Sequence, residues 1–262
     1  MKIIVCVKQV IDTGAAISIH GGKVDAEGSP RVLNPYDEFA VEEAIRVRER
    51  IPDTTVTLVS LGPEVFKDTL RKGLAMGADH AVHLLDPAFE GLDGLGVALA
   101  LSRAIQSMEY DLVLCGRQAV DDDMAQIGPA LAVFLGIPFA TVITRLELGE
   151  DERTAEVARQ VEGGSEILET PLPALFTCQK GLNEPRLPSL KGMMAAKKKQ
   201  IQVLDAAAIG FEAATMGASA NRLQEDELTL PPSRQKGVIL EGSGTETCSQ
   251  LAKILREDLK VI

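Results

Sequence analysis

Apolar residues fall along this chain in two alternating patterns: short continuous runs, and longer stretches at helical spacing. "IIVCV" (3–7) has no polar interruption, as a strand covered on both faces requires. "PYDEFAVEEAIRVRER" (35–50) sets Phe39, Val41, Ala44, Ile45 and Val47 at helical spacing. Asn34 stands before it as a candidate cap, Pro35 suits the first position, and acids fill the first turns. "TVTLVSLG" (55–62) predicts a second strand, and "PEVFKDTLRKGLAMG" (63–77) a helix entered through Pro63 and ended by Gly77. "HAVHLL" (80–85) is a third strand, "GLGVALALSRAIQSM" (94–108) a helix and "YDLVLCG" (110–116) a fourth strand. "MAQIGPALAVFLG" (124–136) is a helix with Pro129 in or near its first turn. This alternation predicts an α/β fold: an open, mainly parallel sheet with helices on both faces.

Beyond residue 136 the pattern changes. "FATVITRLELG" (139–149), "TAEVARQVEGGSEILETPLPALFTCQKG" (154–181) and "QIQVL" (200–204) read as further strands, with a hairpin turn near Gly163–Gly164. They are expected to extend the sheet with antiparallel members. After Asp205 small residues and Pro231–Pro232 dilute the period, and a last helix is expected over roughly 245–259. Residues 205–262 bury too little for a core of their own. Two readings stay open: an arm lying on a partner subunit, and a partly disordered tail. The division expected is a domain over 1–204 and an arm over 205–262.

Composition narrows the class. The 262 residues are 45% hydrophobic and 25% charged, which suits a soluble protein with one large core. A formal net charge of −11 argues against nucleic acid and anionic membrane surfaces as partners. No apolar run reaches the ~20 residues of a membrane span, and "LGVALALSRAI" carries Arg103 and reads as a buried helix. "MKIIVCVKQV" reads as a strand rather than a signal peptide. Cys6, Cys115, Cys178 and Cys248 form no C-x-x-C and read as buried small hydrophobes in a reducing compartment, the cytoplasm. His20, His80 and His83 are too scattered for a metal site, and His80 and His83 should point to opposite faces of their strand.

One stretch raises a chemical question. "CGRQAVDDDMAQIGP" (115–129) crowds Asp121, Asp122 and Asp123 where a strand hands over to a helix. Ligands of open parallel sheets collect at the carboxyl ends of the strands, here Lys8-Gln9, Leu61-Gly62-Pro63 and Gly116-Arg117-Gln118. A helix starting after Asp123 would aim free N–H groups at that edge, where they favour a phosphate. Some of the acids would cap the helix and stiffen the loop, and one could accept from a ribose hydroxyl. Gly116 and Gly128 would allow close approach. An ordinary capped helix without ligand is the competing reading. A catalytic carboxylate pair ranks lower, because no nucleophile or histidine lies nearby in sequence. Neither G-x-G-x-x-G nor G-x-x-x-x-G-K-[ST] is present.

Six blocks fall in register with one family: "VCVKQVID" (5–12), "LNPYDEFAVEEA" (33–44), "GLAMGAD" (73–79), "CGRQAVDDDMAQIG" (115–128), "VARQVEGGSEIL" (157–168) and "LNEPRLPSLKGMMAAKKK" (182–199). Together they resemble the β (small) subunit of electron transfer flavoprotein, from Met1 to about Leu204. The resemblance implies a Rossmann-like, adenine-nucleotide-binding fold in a heterodimer with an α subunit that holds most of a redox FAD. It implies AMP in the β subunit, touching Cys6, Asn34, Leu61 and the run Gly116, Arg117, Gln118, Ala119, Val120, Asp121, Asp122, Asp123, Met124, Ala125, Gln126 and Ile127. Tyr36 should approach the flavin. Leu190 matches the anchor of a loop that grips partner dehydrogenases, acyl-CoA dehydrogenases among them; a leucine there could equally be core. Electrons would pass on to a quinone-linked or other acceptor, with no catalytic residue of this chain's own.

The departures define the alternatives. Ile127 stands where some members have Thr or Ser, and Gln160 where a glutamate is common. "AQIGP" also resembles the electron-bifurcating branch, in which a second FAD replaces AMP. Asp122 and Met124 replace that branch's glycine and threonine, and a side chain at 122 would crowd a second phosphate. AMP is therefore the expectation. A free-standing adenine-nucleotide sensor is the rival from another class.

Overall fold

The computed structural model describes residues 1–25, 28–232 and 237–262. The chain opens on β1 (Lys2–Cys6). Four short strands follow: β2 (Gln9–Ile11), β3 (Ser18–His20), β4 (Lys23–Asp25) and β5 (Arg31–Leu33). Then come α1 (Pro35–Arg50), β6 (Thr55–Leu61), α2 (Lys67–Met76), β7 (His80–Leu84), α3 (Gly94–Gln106), β8 (Leu112–Gly116) and α4 (Ile127–Leu135). The second half adds β9 (Phe139–Leu148), β10 (Thr154–Val161), β11 (Gly164–Pro171), β12 (Ala174–Cys178), α5 (Leu190–Lys198), β13 (Gln202–Leu204), α6 (Ala213–Met216) and α7 (Gly244–Lys253).

Nine strands form one sheet in the order β11-β10-β9-β12-β8-β1-β6-β7-β13. The expected α/β architecture is present, with two corrections. First, of the nine strands only β10 runs against the rest, pairing antiparallel with both β9 and β11; β12 enters between β8 and β9, parallel to both, and β13 lies parallel to β7. The reason lies in burial. All five residues of β12, "ALFTC", are buried, which demands a central seat, whereas β11 is mostly exposed and suits an edge. Second, β2 pairs with β5 and β3 with β4 in two small ladders between β1 and α1, a region the apolar pattern left blank. The turn Gly21–Gly22, both at positive φ, closes β3 onto β4 as a two-residue hairpin.

Each strand of the central sheet feeds two cores. Ile3, Val5, Leu58, Leu114 and Phe176 meet α1 and α2 through Val41, Ile45, Leu70 and Leu74. Ile4, Cys6, Val59, Val113 and Leu175 face the other way, toward Leu101, Ile105 and Leu131 of α3 and α4. Each such side chain contributes roughly 1.5–3 kcal/mol on burial. The second core continues past Leu204: Ala206, Ile209 and Phe211 are buried, and Phe211 meets Phe89 edge-on at 5.3 Å. None of the described residues after Gly217 is buried. Cys6, Cys115 and Cys178 are buried as expected, but Cys248 is exposed, because it lies on α7, which covers no core. No described helix is long and apolar enough to cross a membrane.

Candidate functional site

β8, β1 and β6 are neighbours at the centre of the sheet. Their ends bring Gly116, Lys8 and Leu61 to one edge, and α1 starts there. Asp37, in the first turn of α1, ties these pieces together. Its Oδ1 accepts from Gly116 N (3.0 Å) and Asn34 Nδ2 (2.9 Å), and its Oδ2 from Lys8 N (2.7 Å). Burial pushes the Asp37 carboxyl up to about 7, against these three donors. Sequence reasoning missed this residue. Its only signal was an acid in a helix's first turn, which ordinarily reads as an exposed complement to the helix dipole.

Asn34 sits at the N-cap position of α1, yet its side chain makes no cap hydrogen bond, which corrects that expectation. It reaches across instead. Nδ2 donates to Gln118 O (2.9 Å), and Oδ1 accepts from Val120 N (3.2 Å). Asn34 and Asp37 thus clamp the start of the 116–127 loop from α1. The Arg117 guanidinium lies over the Tyr36 ring, 5.3 Å from its centroid. A Cβ on Gly116 would come within 2.3 Å of Asp37 Oδ1 and 2.7 Å of the Tyr36 carbonyl carbon, so its room is taken by α1. On Gly128 it would meet Thr177 Cγ2 at 2.4 Å.

The three acids separate in role. Lys8 Nζ donates to Asp121 Oδ1 (2.7 Å) and Asp122 Oδ2 (3.0 Å). Burial opposes the Lys8 charge, but the two carboxylates outweigh it and hold its pKa above the ordinary value. Asp122 Oδ1 also accepts from Met124 N (3.0 Å), and Asp123 Oδ1 from Gln118 Nε2 (2.5 Å). The acids stiffen the loop, then, but none caps the helix. α4 starts at Ile127, three residues later than the pattern indicated, because Asp123 (φ 50°) and Ala125 (φ 53°) are left-handed and cannot belong to it. Pro129 falls in its first turn as expected. Among the described residues, no protein acceptor takes the amides of Ala125, Gln126, Ile127 or Gly128.

The remaining residues singled out from the sequence fall as follows. Cys6 ends β1 beside Cys115; the hydrogen bond between them, then burial, push the Cys115 thiol up and leave it inert. Leu61 is half-buried at the end of β6. Ala119 and Val120 are half-buried, Met124 and Ala125 exposed, and Gln126 and Ile127 half-buried where the loop turns into α4. His83 is buried, and its Nε2 donates to Gly62 O (2.9 Å), steadying the turn after Leu61; His80, on the opposite face, is exposed. Leu190 lies apart, on α5, and is 77% exposed, which rules out the core reading.

Comparison with known proteins identifies the family. The family model described as "Electron transfer flavoprotein domain" matches residues 21–209. An electron transfer flavoprotein subunit beta of Megasphaera elsdenii is 40% identical over 250 residues, 92% of each chain. One of Bacillus subtilis is 38% identical over the full length of both chains. The "Caffeyl-CoA reductase-Etf complex subunit CarD" of Acetobacterium woodii is 37% identical over 99% of this chain and 98% of that one. Likeness over whole chains sets aside a free-standing nucleotide sensor. With a clamped loop at the carboxyl edge of a parallel sheet and relatives that match end to end, the chain belongs to the electron transfer flavoprotein family, among its β subunits.

Proposed function

We propose that this chain holds AMP at the 116–127 loop and stands beside an FAD bound mainly by an α subunit. The observation that carries the reading is the set of uncommitted amides at Ala125, Gln126, Ile127 and Gly128, on a loop already rigid. Such amides at a helix start suit a phosphate. The neighbouring acids do not oppose it strongly, since Lys8 engages Asp121 and Asp122. Asn34 spends its side chain on the loop and so acts through it; Cys6 and Leu61 border the same edge. Tyr36, backed by Arg117, is the residue to face the flavin.

In this reading a dehydrogenase, of the acyl-CoA class, docks around Leu190, and electrons leave to a quinone-linked or other acceptor. A relative that shares a complex with caffeyl-CoA reductase supports partners that act on CoA thioesters. The FAD, when bound, supplies one- and two-electron chemistry; this chain supplies position and docking. Residues 1–204 carry the nucleotide-binding domain; of 205–262, the stretch to Gly217 packs onto that domain, and the rest is the arm that lies on the α subunit. The compartment is the cytoplasm, in keeping with three free buried thiols.

Ala125 offers a direct test. Its left-handed backbone accommodates Asn and Asp better than Ala. Ala125→Asn should leave AMP affinity of the αβ complex nearly unchanged by calorimetry. Ala125→Asp, equal in shape but charged, should weaken it by about tenfold or more. Equal affinities in the two variants would remove the phosphate from this loop. A second reading, FAD in place of AMP, is favoured by one observation: Asp122 turns its side chain to Lys8 and Met124 N, leaving the exposed span 121–125 open to a longer ligand.

A further inference from the structure

Residues 183–189 form neither helix nor strand, yet they are strapped to α1. Asn183 Nδ2 donates to Phe39 O (3.0 Å) and Glu43 Oε2 (2.9 Å). Arg186 donates from Nε and Nη2 to both oxygens of Glu42 (2.8 and 3.1 Å), and from Nη1 and Nη2 to both oxygens of Glu49 (2.5 and 3.0 Å). Its amide also donates to Glu42 Oε2 (3.1 Å). Glu42 is only 2% exposed and takes Arg46 Nε as well (2.8 Å). Burial works against the Glu42 charge, but Arg186 and Arg46 outweigh it and hold its pKa below the ordinary value. A planar guanidinium bridging two carboxylates fixes the chain's direction in a way an ammonium cannot.

The chain is fixed again just downstream. Ser189 Oγ accepts from Gly192 N (3.0 Å), and Gly192 packs so close to α2 that a Cβ would meet Ala75 O at 2.3 Å. Arg71 closes the far end of α5 by donating to Ala196 O and Lys199 O. Between the two fixed points Leu187 and Leu190 stand out into solvent, 89% and 77% exposed. Pro185 and Pro188 restrict the backbone further.

We infer that Arg186 is a positioning residue for docking: by joining Glu42 and Glu49 of α1 it holds the Leu187–Leu190 stretch in one shape before a partner arrives. A prefixed segment loses less freedom on binding, so affinity rises without a new contact. The inference rests on Leu190 as the docking anchor, so the test separates the two.

The αβ complex with its FAD is prepared as wild type, Arg186→Met, Arg186→Lys and Leu190→Ala. Amide exchange is followed over residues 184–192, and KM and kcat for transfer from a reduced acyl-CoA dehydrogenase are measured. R186M should speed exchange by about tenfold and raise KM about tenfold (about 1.4 kcal/mol), with kcat and FAD content held within about twofold. R186K should fall between R186M and wild type, since it keeps the charge but loses the fork. Glu49→Gln, at the exposed end of the fork, serves as the mild variant if R186M yields no complex, with the same direction expected in both readouts. Faster exchange with an unchanged KM would overturn the docking role of Arg186, and unchanged exchange would overturn the strap itself. An unchanged KM in L190A would instead remove the docking reading on which the inference stands.

Discussion

Asp37 shows how much one side chain decides at the head of the sheet. Two main-chain amides and one side-chain amide point at its carboxylate. Asparagine there would aim a donor at donors, so Asp37→Asn should cost about 2–3 kcal/mol in denaturant unfolding. The pH dependence has a definite sign. Burial holds the folded carboxyl at about 7, against 3.8 ordinarily. Between those values the folded chain keeps a proton that the unfolded chain has released, so Asp37's contribution to stability falls as pH rises from about 4 to about 7. The stability gap between wild type and D37N should accordingly be wider at about pH 5.5 than at about pH 8. A gap that is the same at both pH values would mean that the buried group is ionised throughout. Gly116 is the counterpart. Its missing Cβ makes room for the α1 backbone, which cannot rotate away, so Gly116→Ala should destabilise by about 2 kcal/mol or more. Little of this was legible in the sequence, since "NPYD" does not say that its Asp turns inward and its Asn reaches over to another loop.

Elements were far more legible than their neighbours. The alternation of apolar runs and helical spacing located every helix from α1 to α4 and the strands between them, because each must bury a face against the sheet. Gly163 announced the β10–β11 hairpin. Strand order stayed hidden. "ALFTC" reads as a buried strand, but nothing local says that it inserts between β8 and β9. The start of α4 was misplaced for a similar reason: "MAQ" carries helix-forming residues, and the left-handed turns at Asp123 and Ala125 come from the loop's ties to Lys8, Gln118 and Asn34. The segment after β13 offers a test at this scale. Phe211 plugs the second core against Phe89, so Phe211→Ala should cost about 3–4 kcal/mol. A cost near zero would mean that residues 206–216 lie on the body without holding it.

The whole molecule divides where burial stops. Up to Gly217 the chain contributes to a core; beyond it Val238 and Ile239 are more than four-fifths exposed, and α7 covers nothing. In the proposed reading these apolar residues are the ones that meet the α subunit. Ending the chain after Leu223, whose amide still bonds Asp93 Oδ2 (3.1 Å), should leave the body folded with a melting temperature within a few degrees of the full chain. The same truncation should abolish co-purification with the α subunit. Retained co-purification would make the arm dispensable.

The nucleotide inventory of the purified αβ complex bears most directly on the 116–127 loop. Acid extraction followed by chromatography should release one AMP and one FAD per heterodimer. Two FAD and no AMP would give the loop to a second flavin, and one FAD with no other nucleotide would contradict an adenylate at this edge of the sheet altogether.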